Sequence, residues 1–171
     1  IRRTKGSFQK GKKPILINHL KLIINAINEQ KNKDIKKLRD KSIILVGFGG
    51  GFRRTELISI NYEDLEFVPE GLKITIRKSK TDQFGEGMIK ALPYFTNEKY
   101  CPVINLKNWL EISKIKSGPI FRRFSKGSFL KEERLTDQSV VLLIKKYLNL
   151  AGIDNTNFAG LSLRSGFASV A

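Results

Sequence analysis

Four glycines crowd into five positions of "VGFGGGFRRTEL", residues 46–57, directly behind a long apolar run. Glycine loses the most backbone freedom on ordering and takes left-handed backbone readily, so a cluster of this kind ends a regular element. The chain turns here, and Arg53 and Arg54 are delivered at the start of whatever follows. Two arrangements have this pattern. One is a loop that cradles the phosphates of a nucleotide; the other is a junction of two helices that presents an arginine.

Spacing decides between them. A dinucleotide-binding fingerprint needs G-x-G-x-x-G between a strand and a helix; Gly47 and Gly49 supply the first two places, but the third falls on Phe52. A Walker loop needs Lys-Ser or Lys-Thr at a fixed distance, and neither follows these glycines. The helix junction remains, with one helix ending at the glycines and the next beginning near Arg53. An arginine there stands beside the free N–H groups of a helix N-terminus, where a phosphate is doubly favoured.

The rest of the chain reads as mostly α with one small antiparallel β-sheet, an α+β fold without internal repeats. "ILINHLKLIINAINEQ" places Ile15, Ile17, Leu20, Leu22, Ile23 and Ile27 mostly on one helical face. Residues 43–46 alone pass for a buried strand, but Ile35 and Leu38 continue a helical face into them, so the reading is helix. In "GLKITIRKSKTDQFGEGMIKALPY", Leu72, Ile74 and Ile76 alternate with Lys73, Thr75 and Arg77, the period of a half-buried strand. "TDQFGEG" is its turn and "MIKALPY" the returning strand. "CPVINLKNWLEISKI" is an amphipathic helix, "KSGPIFRRFSKGS" a basic loop, and Thr136 caps a helix that ends at Gly152. Ser162 is placed to cap one more.

Charge narrows the partner. Thirty-two basic residues against sixteen acidic ones leave a formal charge of +16 and a pI near 10.1. Such a surface draws in polyanions, and nucleic acid is the commonest of them. No apolar run is long enough to span a membrane, and no signal-peptide core follows the basic residues 1–13. The lone Cys101 makes no internal disulfide and points to a reducing compartment. One histidine and one cysteine offer no His/Cys metal constellation.

"GFRRTELISINYEDLEF", "IRKSKTDQFGEG" and "LSLRSGFASVA", in this order and at these separations, resemble the catalytic domain of tyrosine recombinases, the phage-integrase family. The likeness runs almost from end to end. It implies a DNA-binding domain that, in a complete protein, breaks and rejoins strands through a phosphotyrosyl intermediate, in DNA integration and recombination. It implies double-stranded DNA as partner, self-association on DNA as a tetramer, no cofactor or metal, and a cytoplasmic, nucleoid-associated setting. By the same resemblance, residues 1–13 are a basic linker from a core-binding domain, and residues 14–171 a catalytic domain that stops before its nucleophile.

The resemblance assigns roles residue by residue. Arg53 is the first catalytic arginine, with Glu56 fixing its geometry. Lys80, or Lys78 as the alternative, is the hairpin lysine that assists the leaving 5′ oxygen. Arg164 is the second arginine. Its box reads Leu161-Ser162-Leu163-Arg164, with leucine where the family usually has histidine. Leucine moves no proton, so that contribution is missing. Arg54, Lys78, Arg122, Arg123 and Lys126 are read as contacts to DNA. Tyr62, Tyr94, Tyr100 and Tyr147 all precede Arg164 and match no nucleophile position; they are read as packing or interface residues, and His19 as an ordinary surface or packed one. The sequence as it stands is therefore expected to bind DNA without cleaving it, and a non-catalytic remnant of an integrase is the alternative. An RNA-binding basic protein explains the charge but not the order of the motifs.

Overall fold

The computed structural model describes residues 17–31, 33–77 and 87–154. Its helices are α1 (Ile17–Glu29), α2 (Asp34–Gly50), α3 (Arg54–Ser59), α4 (Pro102–Ser113) and α5 (Asp137–Leu150). Its strands are β1 (Leu65–Val68), β2 (Gly71–Ile76), β3 (Met88–Pro93), β4 (Arg122–Phe124) and β5 (Leu130–Arg134). The fold is mostly helical with two small antiparallel sheets, β1-β2-β3 and β4-β5.

Helix α2 is the axis of the domain. Residues 42–48 are buried without a break, so the segment that could pass for a strand is a helix enclosed on every side. Its neighbours are α1, α3, α4, α5 and β3. Helix α1 covers it with Leu20, Ile23, Ile24 and Ile27. Leu22, expected on that face, is 47% exposed and Ile17 is exposed too. At about 100° per residue, Leu22 lies some 200° round from Leu20, and Ile24 holds the place in the stripe instead. Helix α4 opens with Pro102 at its first position, where a missing N–H costs nothing, and buries Val103, Leu106 and Trp109. The Trp109 indole donates to the Ile120 carbonyl at 2.8 Å.

Strand β2 keeps its alternation, with Leu72, Ile74 and Ile76 buried in the core and Lys73, Thr75 and, just past its end, Arg77 exposed. It pairs with β3, Leu72 opposite Leu92 and Ile74 opposite Lys90. The hairpin turn, including Lys78 and Lys80, lies outside the described residues. The extended lead before β2 is a third strand, β1, with Leu65 opposite Ile74.

The second sheet corrects the sequence reading. The segment "KSGPIFRRFSKGS", read as a loop, contains β4, which pairs Arg122 with Arg134 and Phe124 with Leu130. Arg-Arg-Phe has no alternation to announce a strand; it is one because β5 lies beside it. The pair closes through Gly127 and Ser128, both at positive φ, 84° and 64°. Arg164, Leu161 and the helix expected after Ser162 lie outside the described residues. Among those described, no helix is long and apolar enough to cross a membrane, and no cluster of three metal-ligating side chains occurs.

Candidate phosphate-gripping site

The glycine cluster is the junction between α2 and α3. Gly51 takes left-handed backbone at φ 60° and ψ 39°. The Phe52 N–H then reaches the Gly47 carbonyl at 3.1 Å and the Gly51 N–H reaches that of Phe48 at 3.2 Å. This double closure ends α2 and folds the fully buried Phe52 ring back onto the helix. Gly50 makes room for it, since a Cβ there would lie 2.2 Å from the ring.

Arg53 follows as the N-cap of α3, extended at φ −68° and ψ 147°. Its backbone N–H donates to Glu56 Oε2 at 3.4 Å, and its Nε lies 3.8 Å from Glu56 Oε1. Glu56 is buried, while the Arg53 side chain keeps 23% of its surface exposed. Arginine has no acceptor with which to cap a helix, so the acid alone closes the α3 N-terminus and orients the cation.

Arg54 turns away and pairs with Asp137 at the start of α5, Nε to Oδ2 3.3 Å. The other end of α3 is held by Arg134, which donates to the Ile58 carbonyl at 2.7 Å and to Asn61 Oδ1 at 2.6 Å. Beyond it, Asp64 accepts from Arg77 Nε at 2.7 Å and from the Asn61 N–H at 2.9 Å. Thr55, Glu56 and Ser59 of α3 face Thr75 of β2 and Arg77, just past the end of that strand, across a cleft of about 290 Å³. The helix that carries Arg53 and the strand that leads to residues 78–86 thus border one cleft.

The other sequence candidates are placed as follows. Arg122 donates to the carbonyls of Pro119, at 2.6 Å, and Ser117, so its guanidinium holds its own loop. Arg123 is exposed and pairs with Glu133 at 2.9 Å. Lys126 is exposed at the β4–β5 turn. Tyr147 is fully buried and donates to Asp40 Oδ2, whose Oδ1 accepts from Arg39 at 2.9 and 3.0 Å. Burial, then the neighbouring Asp40 charge, pushes the Tyr147 phenol far above its ordinary range. Tyr94 accepts from Lys107, Tyr100 donates to Asn25, and Tyr62 and His19 are half-buried.

One residue of this site escaped the sequence reading. Lys90 of β3 donates to the carbonyls of Gly50 at 2.9 Å and Gly51 at 3.0 Å, and lies 3.8 Å from Glu56 Oε2. The signal was its phase: Lys90 shares the strand face of the buried Leu92, while the intervening Ala91 is exposed.

Comparison with known proteins shows the family and the fold. The model of the phage integrase family matches residues 17–170. The chain belongs to the phage integrase family. A curated relative, the "Integrase/recombinase xerD homolog" of Selenomonas ruminantium, is 48% identical over all 171 residues. The chain spans about half of that relative's length, 49%. Two solved family folds are similar at low identity. The XerH site-specific recombinase, bound to palindromic difH substrate in a post-cleavage complex, has a TM-score of 0.73 at 18% identity, over 98% of this chain and 44% of that one. A lambda integrase tetramer bound to a Holliday junction has a TM-score of 0.61 at 17% identity, over 92% of this chain and 41% of that one. The tyrosine-recombinase catalytic fold read from the three motifs is the fold observed.

Proposed function

We propose that the full gene product cleaves and rejoins duplex DNA at specific sites, and that Arg53 holds the scissile phosphate. The observation that carries this reading is the α2–α3 junction, where a partly exposed guanidinium sits at a helix N-terminus with a buried carboxylate behind it. Phosphoryl transfer concentrates charge on the non-bridging oxygens, and a planar guanidinium meets two of them at once.

In this reading a tyrosine oxygen attacks the phosphorus and the bond to the 5′ oxygen breaks. The tyrosine gives up its proton, and Lys80, or Lys78, supplies one to the leaving 5′ oxygen. Arg164 completes the grip on the phosphate. The phosphotyrosyl ester keeps the bond energy for rejoining, so the cycle calls for neither metal nor nucleotide. Arg54, Arg123 and Lys126 add contacts to the DNA backbone, with Arg122 bonded to the loop just before the last two. The solved relatives named above were captured on DNA, one of them as a tetramer, which supports duplex DNA as the partner and self-association on it. Such a protein works in the cytoplasm, where the DNA is.

The test is a nicked duplex that traps the covalent intermediate. The full gene product should form a 3′-phosphotyrosyl adduct and release a 5′-hydroxyl strand; the absence of any adduct on every recognised site would contradict cleavage. Leu161 favours a second reading, a DNA-binding remnant without cleavage activity. Tight binding without an adduct is the result that reading requires.

A further inference from the structure

Lys90 lies where a strand residue in its phase would be apolar. Its side chain is 18% exposed, while Ile89 beside it is 65% exposed. The ammonium spends two of its donors on the Gly50 and Gly51 carbonyls, the last acceptors of α2. Those of Gly47 and Phe48 are already taken by the chain's own turn. It also stands 4.7 Å above the Phe52 ring and 3.8 Å from Glu56 Oε2. One cation therefore touches the helix end, the ring that anchors the turn, and the acid that orients Arg53.

Charge gives this arrangement a further consequence. Glu56 is buried, and with Arg53 alone it would neutralise the guanidinium that has to meet a phosphate. With Lys90 present, two cations share the Glu56 carboxylate, and its charge is no longer spent on Arg53 alone. We propose that Lys90 is a positioning residue for phosphate binding by Arg53: it fixes the backbone that carries Arg53 and draws on the Glu56 charge that would otherwise quench it. This rests on the reading of Arg53 as the phosphate ligand.

The test uses the full gene product on a nicked duplex, with binding and cleavage measured separately. Lys90→Met keeps the stem and removes the charge. It should fold, bind DNA with little change, and cleave about 10- to 100-fold more slowly at saturating DNA, the scale expected when a catalytic group is misplaced. Lys90→Arg should recover most of that rate. On a duplex whose scissile phosphate is replaced by an uncharged methylphosphonate, the Lys90→Met defect should shrink in parallel with that of Arg53→Ala. A purely structural role predicts equal losses on both substrates. If Lys90→Met does not fold, Lys90→Gln, which retains an N–H donor for the two carbonyls, takes its place with the same expectations. Wild-type cleavage by the folded variant, or equal defects on both substrates, overturns the proposal. Wild-type cleavage by Arg53→Ala overturns instead the assignment of Arg53.

Discussion

The Tyr147 hydroxyl donates to Asp40 Oδ2 in the interior, joining α5 to α2 across 107 residues of sequence. Arg39 holds the other oxygen of the same carboxylate and lies 4.6 Å over the Phe124 ring. A buried acid with this many partners is costly to orphan. Tyr147→Phe is expected to lower unfolding stability by about 1–3 kcal/mol, and Asp40→Ala, which strands Arg39, by about 3–5 kcal/mol. Urea titration of the chain measures both.

The same pair sets a pH dependence. The Tyr147 phenol titrates above its ordinary value in the folded chain, because burial and then Asp40 oppose its anion. Its contribution is therefore complete below the unfolded value of about 10 and is lost as pH rises from there toward the folded value. Wild type should lose stability above about pH 10 more steeply than Tyr147→Phe. Equal slopes for the two would remove Tyr147 from the account of alkaline unfolding.

At the helix junction, Gly51 and Gly50 fail for different reasons. Gly51→Ala forces a side chain into left-handed backbone, at about 1–2 kcal/mol. Gly50→Ala drives a methyl into the Phe52 ring, an overpacking cost of about 1–3 kcal/mol. Both should slow DNA cleavage by more than the unfolded fraction explains, since both displace Arg53. Cleavage rates corrected for the folded fraction by thermal melts provide the check.

Arg54 and Asp137 form a half-exposed pair, worth about 0.2–1 kcal/mol. Asp137→Asn should cost no more than that and tighten non-specific DNA binding, because Arg54 is released to the backbone. Each phosphate contact adds about 0.9 to the salt slope of binding to duplex DNA. A slope that stays flat with salt would contradict backbone binding altogether.

Much of this was legible in the sequence where a residue type has one physical use. Gly51 needed left-handed backbone, so the end of α2 and the exposure of Arg53 could be read from the glycine cluster. The alternation of Leu72, Ile74 and Ile76 gave β2 its inward face. Thr136 capped α5, accepting from the Ser139 N–H at 3.2 Å. What escaped depends on partners distant in sequence. Strand β4 is a strand only because β5 pairs with it, and a basic tripeptide carries no period of its own. Lys90 was not singled out in a lysine-rich chain; the carbonyls it holds lie 39 and 40 residues away. The engagement of the Arg122 guanidinium with its own loop likewise has no signal in the sequence.

The most direct test is the rate of strand cleavage by Arg53→Ala in the full gene product, at DNA concentrations that saturate binding. Losing the guanidinium should slow cleavage by about 100- to 1,000-fold, with affinity for duplex DNA little changed. Arg53→Lys should restore only part of it, since an ammonium meets one oxygen where a guanidinium meets two. Cleavage by Arg53→Ala at the wild-type rate would show that the glycine junction presents its arginine to something other than the scissile phosphate.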